Sequence, residues 1–192
     1  MQRICILGPG RMGGALSIAI SRASSDLEVT QLIARSPETA RAIAEQIEPQ
    51  PSVTKFDETD TVDADVVLIT TGDPDIRAAS EWLAVRVKSG TAVLHTSGSL
   101  ASTELIACEK KGCAVGSVHP LVPISEPVSG STLFAGAYFC IEGEPKAVYV
   151  AEKLVSALGG NKISIDTSLK PLYHAAAVTS AGGRSRSNSA CP

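Results

Sequence analysis

The chain opens MQRICILGPGRMGG, where a short apolar run (Ile4, Cys5, Ile6, Leu7) stops at Gly8 and glycine recurs at Gly10 and Gly13. An apolar helical pattern follows at once (Met12, Ala15, Leu16, Ala19, Ile20). Between a strand and a helix this spacing makes a phosphate cradle. Gly8 permits the tight turn, Gly10 lets a pyrophosphate approach the backbone, and Gly13 lets the helix pack closely on the strand. The phosphates then meet the free N–H groups of the helix N-terminus, with Arg11 and Met12 in its first turn. An ordinary strand–turn–helix is the bland alternative.

The next strand, 28–34, selects the nucleotide. Its carboxyl end carries Arg35-Ser36-Pro37-Glu38, the position that faces the adenosine ribose, where an acid favours NAD and a base accepts the extra phosphate of NADP. Glu28 lies at the wrong end of the strand for that role. Arg35 lies at the right end, with a planar fork suited to phosphate, and Ser36 adds a hydroxyl. Ser36 is equally placed as a helix N-cap, with Pro37 at the first helical position and Glu38 in the first turn. The expected cofactor is therefore NADP, its edge lined further on by Thr70, Thr71 and Gly72 at the carboxyl end of the strand expected at 65–70.

Groups able to move protons or hold anions come later in the chain. His95 and His119 close predicted strands at their carboxyl ends, where ligands of an open α/β sheet bind. Ser97 and Ser99 lie in a glycine-containing turn and offer donors to a nicotinamide ribose or a substrate carboxylate. Both histidines also fit the plainer role of hydrogen-bonded strand ends. Lys170, Tyr173 and His174 fall at i, i+3 and i+4 on one helical face, either as a proton relay or anion site or as a snorkelling lysine beside a packed tyrosine. The histidines have no short ligand spacing, so no metal site is expected.

The elements that must position these groups alternate regularly. Helices are expected at 11–23, 37–47, 75–88 (with Asp73 as its cap), 102–111 and 145–158. Strands are expected at 53–56, 65–70, 91–95, 113–118, 137–142 and 162–165, with a loop over 121–134. Such alternation predicts an α/β fold: a doubly wound, mostly parallel Rossmann-like sheet with helices on both faces. Residues 1–168 would form this nucleotide-binding domain. Residues 169–181 read as a helix that is apolar almost all round, hence buried or shared with a partner. Residues 182–192, rich in Ser, Arg and Gly, are expected to be disordered.

Composition narrows the class. A net charge of −3 among 192 residues gives no basic footprint for nucleic acid. Aromatic residues are few and not interleaved with basic ones, and the Walker spacing for nucleotide hydrolysis is missing. No run reaches membrane length. The cysteines, Cys5, Cys108, Cys113, Cys140 and Cys191, show no C-x-x-C pair and read as free thiols in a reducing, cytoplasmic protein.

The ordered blocks GPGRMGGAL (8–16), HTSGSL (95–100), GSVHPL (116–121), FAGAYFCIEG (134–143) and YHAAAV (173–178) resemble bacterial Rossmann-like proteins carrying a C-terminal helical domain of unknown function. That family lies in the superfamily of 6-phosphogluconate dehydrogenase, pyrroline-5-carboxylate reductase and the deazaflavin-dependent NADP reductases. The resemblance covers residues 3–180. It implies an NADP-dependent oxidoreductase acting on a small molecule, with Lys170 or His174 as general acid by analogy with the helix lysines of the superfamily. His119 and Ser97 stand beside them as catalytic candidates, and His95 as a cofactor contact. Relatives of this kind continue into a helical dimerisation domain of roughly a hundred further residues, a domain-sized addition. Here the resemblance stops after Ser180, so a truncated helical domain, a homodimer through helix 169–181 and a nucleotide-binding module without turnover are all compatible with it.

Overall fold

The computed structural model describes residues 1–23, 26–170, 172–173 and 175. The fold is an eight-stranded sheet in the order β3-β2-β1-β4-β5-β6-β7-β8. Its strands are β1 (Gln2–Leu7), β2 (Leu27–Ala34), β3 (Ser52–Lys55), β4 (Val66–Ile69), β5 (Ala92–His95), β6 (Ala114–Pro120), β7 (Tyr138–Gly143) and β8 (Asn161–Ser164). All neighbours run parallel except β6 and β7, which are antiparallel. The chain leaves β1 towards β2 on one side and later returns to β4 on the other. That reversal opens a crevice at the carboxyl end of β1, where open α/β sheets bind ligands.

The central strands carry continuous apolar runs because both faces are covered there. Ile4, Ile6, Val66, Leu68 and Leu94 belong to one core cluster, while the alternating Cys5, Leu7, Val67, Ile69 and Val93 belong to the other. The first face is covered by α1 (Arg11–Arg22), α2 (Pro37–Ala44) and α6 (Pro145–Ala157), and the second by α3 (Ile76–Ala84) and α4 (Ile106–Lys110). Cys5, Cys108, Cys113 and Cys140 are buried free thiols; Cys191 lies outside the described residues.

Several expected boundaries move. Helix 37–47 gives up regular α geometry after Ala44, and its end tightens into shorter bonds from Gln46 and Ile47 to the carbonyls of Ile43 and Ala44. Asp73 does not cap α3. Residues Asp73–Asp75 form a 3₁₀ turn, Asp75 takes the cap position without a side-chain bond, and the Asp73 carboxylate accepts instead from the Ser99 hydroxyl at 2.6 Å. The expected helix 102–111 is split into a 3₁₀ turn, Ser102–Leu105, and α4. The segment 121–134 is not all loop. Glu126 accepts from the N–H groups of Val128 and Ser129 and caps a short helix, α5 (Pro127–Gly130), that packs against α1. The acid-proline pair at its start was the available signal. Residues 176–192, including the 182–192 tail, and His174 lie outside the described residues, as does most of the helix at 169–181.

Candidate functional site

Around the β1 turn each glycine is explained by a different contact. Gly8 has a φ of +83°, and a Cβ there would lie 2.7 Å from Thr71 Cγ2. A Cβ at Gly13 would overlap the Thr70 side chain, whose hydroxyl donates to the Gly8 carbonyl at 2.8 Å. A Cβ at Gly10 would meet nothing closer than the Gly8 carbonyl oxygen at 4.0 Å. Gly8 and Gly13 thus close the turn against β4, while Gly10 faces open space at the N-terminus of α1. Gly10 is the cap residue of that helix, and no side chain caps it. The N–H groups of the first helical turn have no intrahelical acceptor.

The open space is a cleft of about 360 Å³. Gly8, Gly10, Arg35, Ser36, Thr70, Thr71 and Gly72 line it, and Pro9, Ala34, Thr39, Phe56 and Asp75 complete the wall. Residues from β1, β2 and β4 thus converge because the strand order brings those three carboxyl ends side by side. Ser36 does occupy the N-cap position of α2, with Pro37 behind it, but makes no side-chain cap bond, so the helix does not use its hydroxyl. The Arg35 guanidinium is 76% exposed and pairs with Asp75 at 3.0 Å. Thr71 Oγ1 is buried without a hydrogen-bond partner among the described residues.

Not every expected cofactor contact reaches this cleft. Arg11 is exposed outside its lining, Met12 packs against the core, and Gly13 is a buried spacer. His95 is the clearest departure. It is fully buried, and its Nδ1 accepts from the Ser97 N–H at 3.2 Å. Burial pulls its pKa down to about 4, so the ring is neutral at pH 7.

A second polar assembly lies along the sheet, and no spacing in the sequence announced it. The register aligns His95 with Ser117 across β5–β6, and Ser117 with Glu142 across β6–β7. Glu142 is 1% exposed and accepts from the Ser102 N–H at 2.9 Å, the Ser102 hydroxyl at 2.8 Å and the Thr167 hydroxyl at 2.8 Å. Burial pushes its pKa up, but hydrogen bonds from Ser102, Ser117 and Thr167 and the nearby Lys170 charge outweigh that and hold it below the ordinary glutamate value. An acid inside the apolar run Phe139-Cys140-Ile141-Glu142 was the only hint of this role.

Lys170 does not snorkel. It is fully buried and donates to the Ser117 hydroxyl at 2.6 Å, with its pKa lowered by burial. Ser97, expected to serve chemistry, is 5% exposed. Its oxygen accepts from the N–H groups of Ser99 and Leu100, at 3.2 and 3.0 Å, and so builds the turn after β5. His119 is half-buried and lies against that turn. A Cβ at Gly98 would sit 2.7 Å from His119 Nε2, which is why the HTSG turn needs its glycine. His119 Nδ1 lies 3.0 Å from the Thr96 carbonyl, so that nitrogen carries the proton. Tyr173 meets the His119 ring edge-on at 6.4 Å between centroids, and burial raises its pKa.

A larger groove of about 670 Å³ runs beside α6 and β8. It lies at the sheet edge remote from β1 and contains neither the glycine turn nor either histidine, so size alone is a poor guide to the site.

A mostly parallel, doubly wound sheet with a glycine turn at its switch point defines a Rossmann-type nucleotide-binding fold. The description of the Rossmann-like domain family matches residues 2–120, and the chain belongs to that family. Residues 137–183 match a domain of unknown function, DUF2520. A curated relative, glycerol-3-phosphate dehydrogenase [NAD(P)+] of Paramagnetospirillum magneticum, is 28% identical over 179 residues, covering 83% of this chain and 60% of its own length. Among solved structures, a Bacteroides fragilis protein provisionally assigned as an NADP oxidoreductase superposes with a TM-score of 0.76 at 19% identity, covering 96% of this chain and 68% of that one. A Thermotoga maritima protein gives a TM-score of 0.72 at 20% identity, with 95% and 64% covered. The chain therefore spans about 60% of the curated relative it matches. Among the described residues no helix is long and apolar enough to cross a membrane.

Proposed function

We propose that this chain binds NADP in the cleft at the carboxyl ends of β1, β2 and β4, as an oxidoreductase acting on a small molecule. One observation carries the reading: the open face of Gly10 shares a single cleft with Arg35 and Ser36. Gly8 and Gly10 would hold the pyrophosphate against the α1 N-terminus, Arg35 and Ser36 the adenosine phosphate, and Thr70–Gly72 the cofactor edge. A bound nicotinamide would supply or accept a hydride. The chain must then move a proton, and His119 is the residue we assign to that task. Its Nδ1 is held on the Thr96 carbonyl at 3.0 Å, which fixes the orientation of the ring.

Calorimetry with NADPH and NADH tests the nucleotide assignment. NADPH should bind at least about tenfold more tightly. Equal affinities would remove NADP from the proposal, and no heat from either nucleotide with a folded protein would remove the site. A nucleotide-binding module without turnover is the second reading, favoured by the burial of Lys170 and by the structural use of the Ser97 hydroxyl. Nicotinamide absorbance, followed with NADPH and candidate imines, keto acids and deazaflavin, separates the two.

A further inference from the structure

The nucleotide cleft adjoins a second hollow of about 230 Å³ lined by Ala78, Ala79 and Trp82. Arg35, Phe56, Thr71 and Asp75 belong to the walls of both. The Arg35–Asp75 ion pair, 3.0 Å between Nη2 and Oδ2, therefore stands where the two hollows meet. Asp75 owes this place to the 3₁₀ turn at the start of α3, which its N–H closes on the Gly72 carbonyl at 2.9 Å. Its carboxylate does not cap α3, so the helix makes no use of it.

Resting on the nucleotide reading above, we propose that Asp75 is a specificity-determining residue: an internal competitor that occupies the Arg35 guanidinium until a phosphate on the ribose displaces it. A carboxylate and a phosphate are alternative partners for the same planar fork. A phosphate that takes the guanidinium comes within a few ångströms of the displaced carboxylate, and like charges at that range repel even in water. The pair is exposed and so holds the guanidinium only weakly. Asp75 thus sets a threshold for phosphorylated ligands without closing the cleft to them.

The test compares Asp75→Asn with the unmutated chain, using calorimetric titrations of NADPH, NADH and 2′-AMP. Asparagine keeps the shape of the side chain and removes its charge. NADPH and 2′-AMP should tighten about three- to tenfold, equivalent to about 0.6–1.4 kcal/mol. NADH, which brings no phosphate to that guanidinium, should change less than about twofold. Unchanged or weakened NADPH and 2′-AMP binding overturns the role of Asp75 while leaving the nucleotide site intact. Equal tightening of NADH overturns it as well, because the effect would not depend on the phosphate. If neither chain binds any of the probes, the underlying nucleotide reading fails instead.

Discussion

The Lys170 ammonium donates to the Ser117 hydroxyl at 2.6 Å, joining residues that are 53 positions apart in the chain. Ser117 lies beside Glu142 in the sheet, so a buried cation and a buried carboxylate share one hydroxyl between them. Breaking such an arrangement from one side leaves the other charge without compensation. Lys170→Met should therefore lower stability by about 1–3 kcal/mol in urea unfolding. Adding Glu142→Gln should restore part of that loss, a coupling a double-mutant cycle measures. Strict additivity of the two changes would show that Lys170 packs there without serving Glu142.

His95 makes stability depend on acid. Burial lowers its folded pKa from 6.5 to about 4, so between those values the unfolded chain binds the proton and the folded chain does not. Stability is then fully present above about pH 6.5 and is lost as pH falls towards 4, by up to about 3 kcal/mol. His95→Asn, whose side-chain oxygen can still accept from the Ser97 N–H, should flatten that part of the curve. Urea midpoints measured from pH 7.5 to 4 give the comparison. An unchanged slope in the variant would mean that other groups carry the acid sensitivity.

Much of this was written into the local sequence, and the reasons for the misses are physical. The strands and the β1 turn were legible because burial on both faces demands continuous apolar runs and the turn demands glycine at fixed spacing. That Arg35 and Ser36 line the cleft was legible because strand direction alone decides which end of β2 opens on it. Phe56 and Asp75, in contrast, line the cleft only once β3 and the turn before α3 are folded against it, and neither has a spacing signature. The row His95–Ser117–Glu142 depends on register between strands separated by helices, which periodicity within one strand cannot reveal. The snorkelling alternative for Lys170 fails for the same reason: its partner, Ser117, lies on a distant strand.

Gly10 and Gly13 should separate binding from folding. A Cβ at Gly10 points into open space, whereas one at Gly13 collides with Thr70. Gly10→Ala should cost at most about 1 kcal/mol of stability yet abolish NADPH binding if the pyrophosphate lies where it is proposed, because the methyl group would enter that space. Gly13→Ala should cost about 1–3 kcal/mol by overpacking α1 against the Thr70 side chain. Melting curves alongside nucleotide titrations distinguish the cases. A Gly10→Ala protein that binds NADPH normally would show that the phosphates do not pass over this turn.

Arg35→Asp tests selectivity at its source. The guanidinium is the cation lining the cleft at the end of β2, and the substitution places an acid where NAD-selective sites hold the ribose hydroxyls. NADPH should weaken by at least about tenfold, since the extra phosphate would meet two carboxylates, the new one and Asp75. NADH should improve, because the new acid can accept from the free 2′-hydroxyl. Competition titrations on one preparation give both affinities. Parallel loss of the two nucleotides would place Arg35 on a group they share, such as the adenine ring, and would end its assignment to the ribose phosphate.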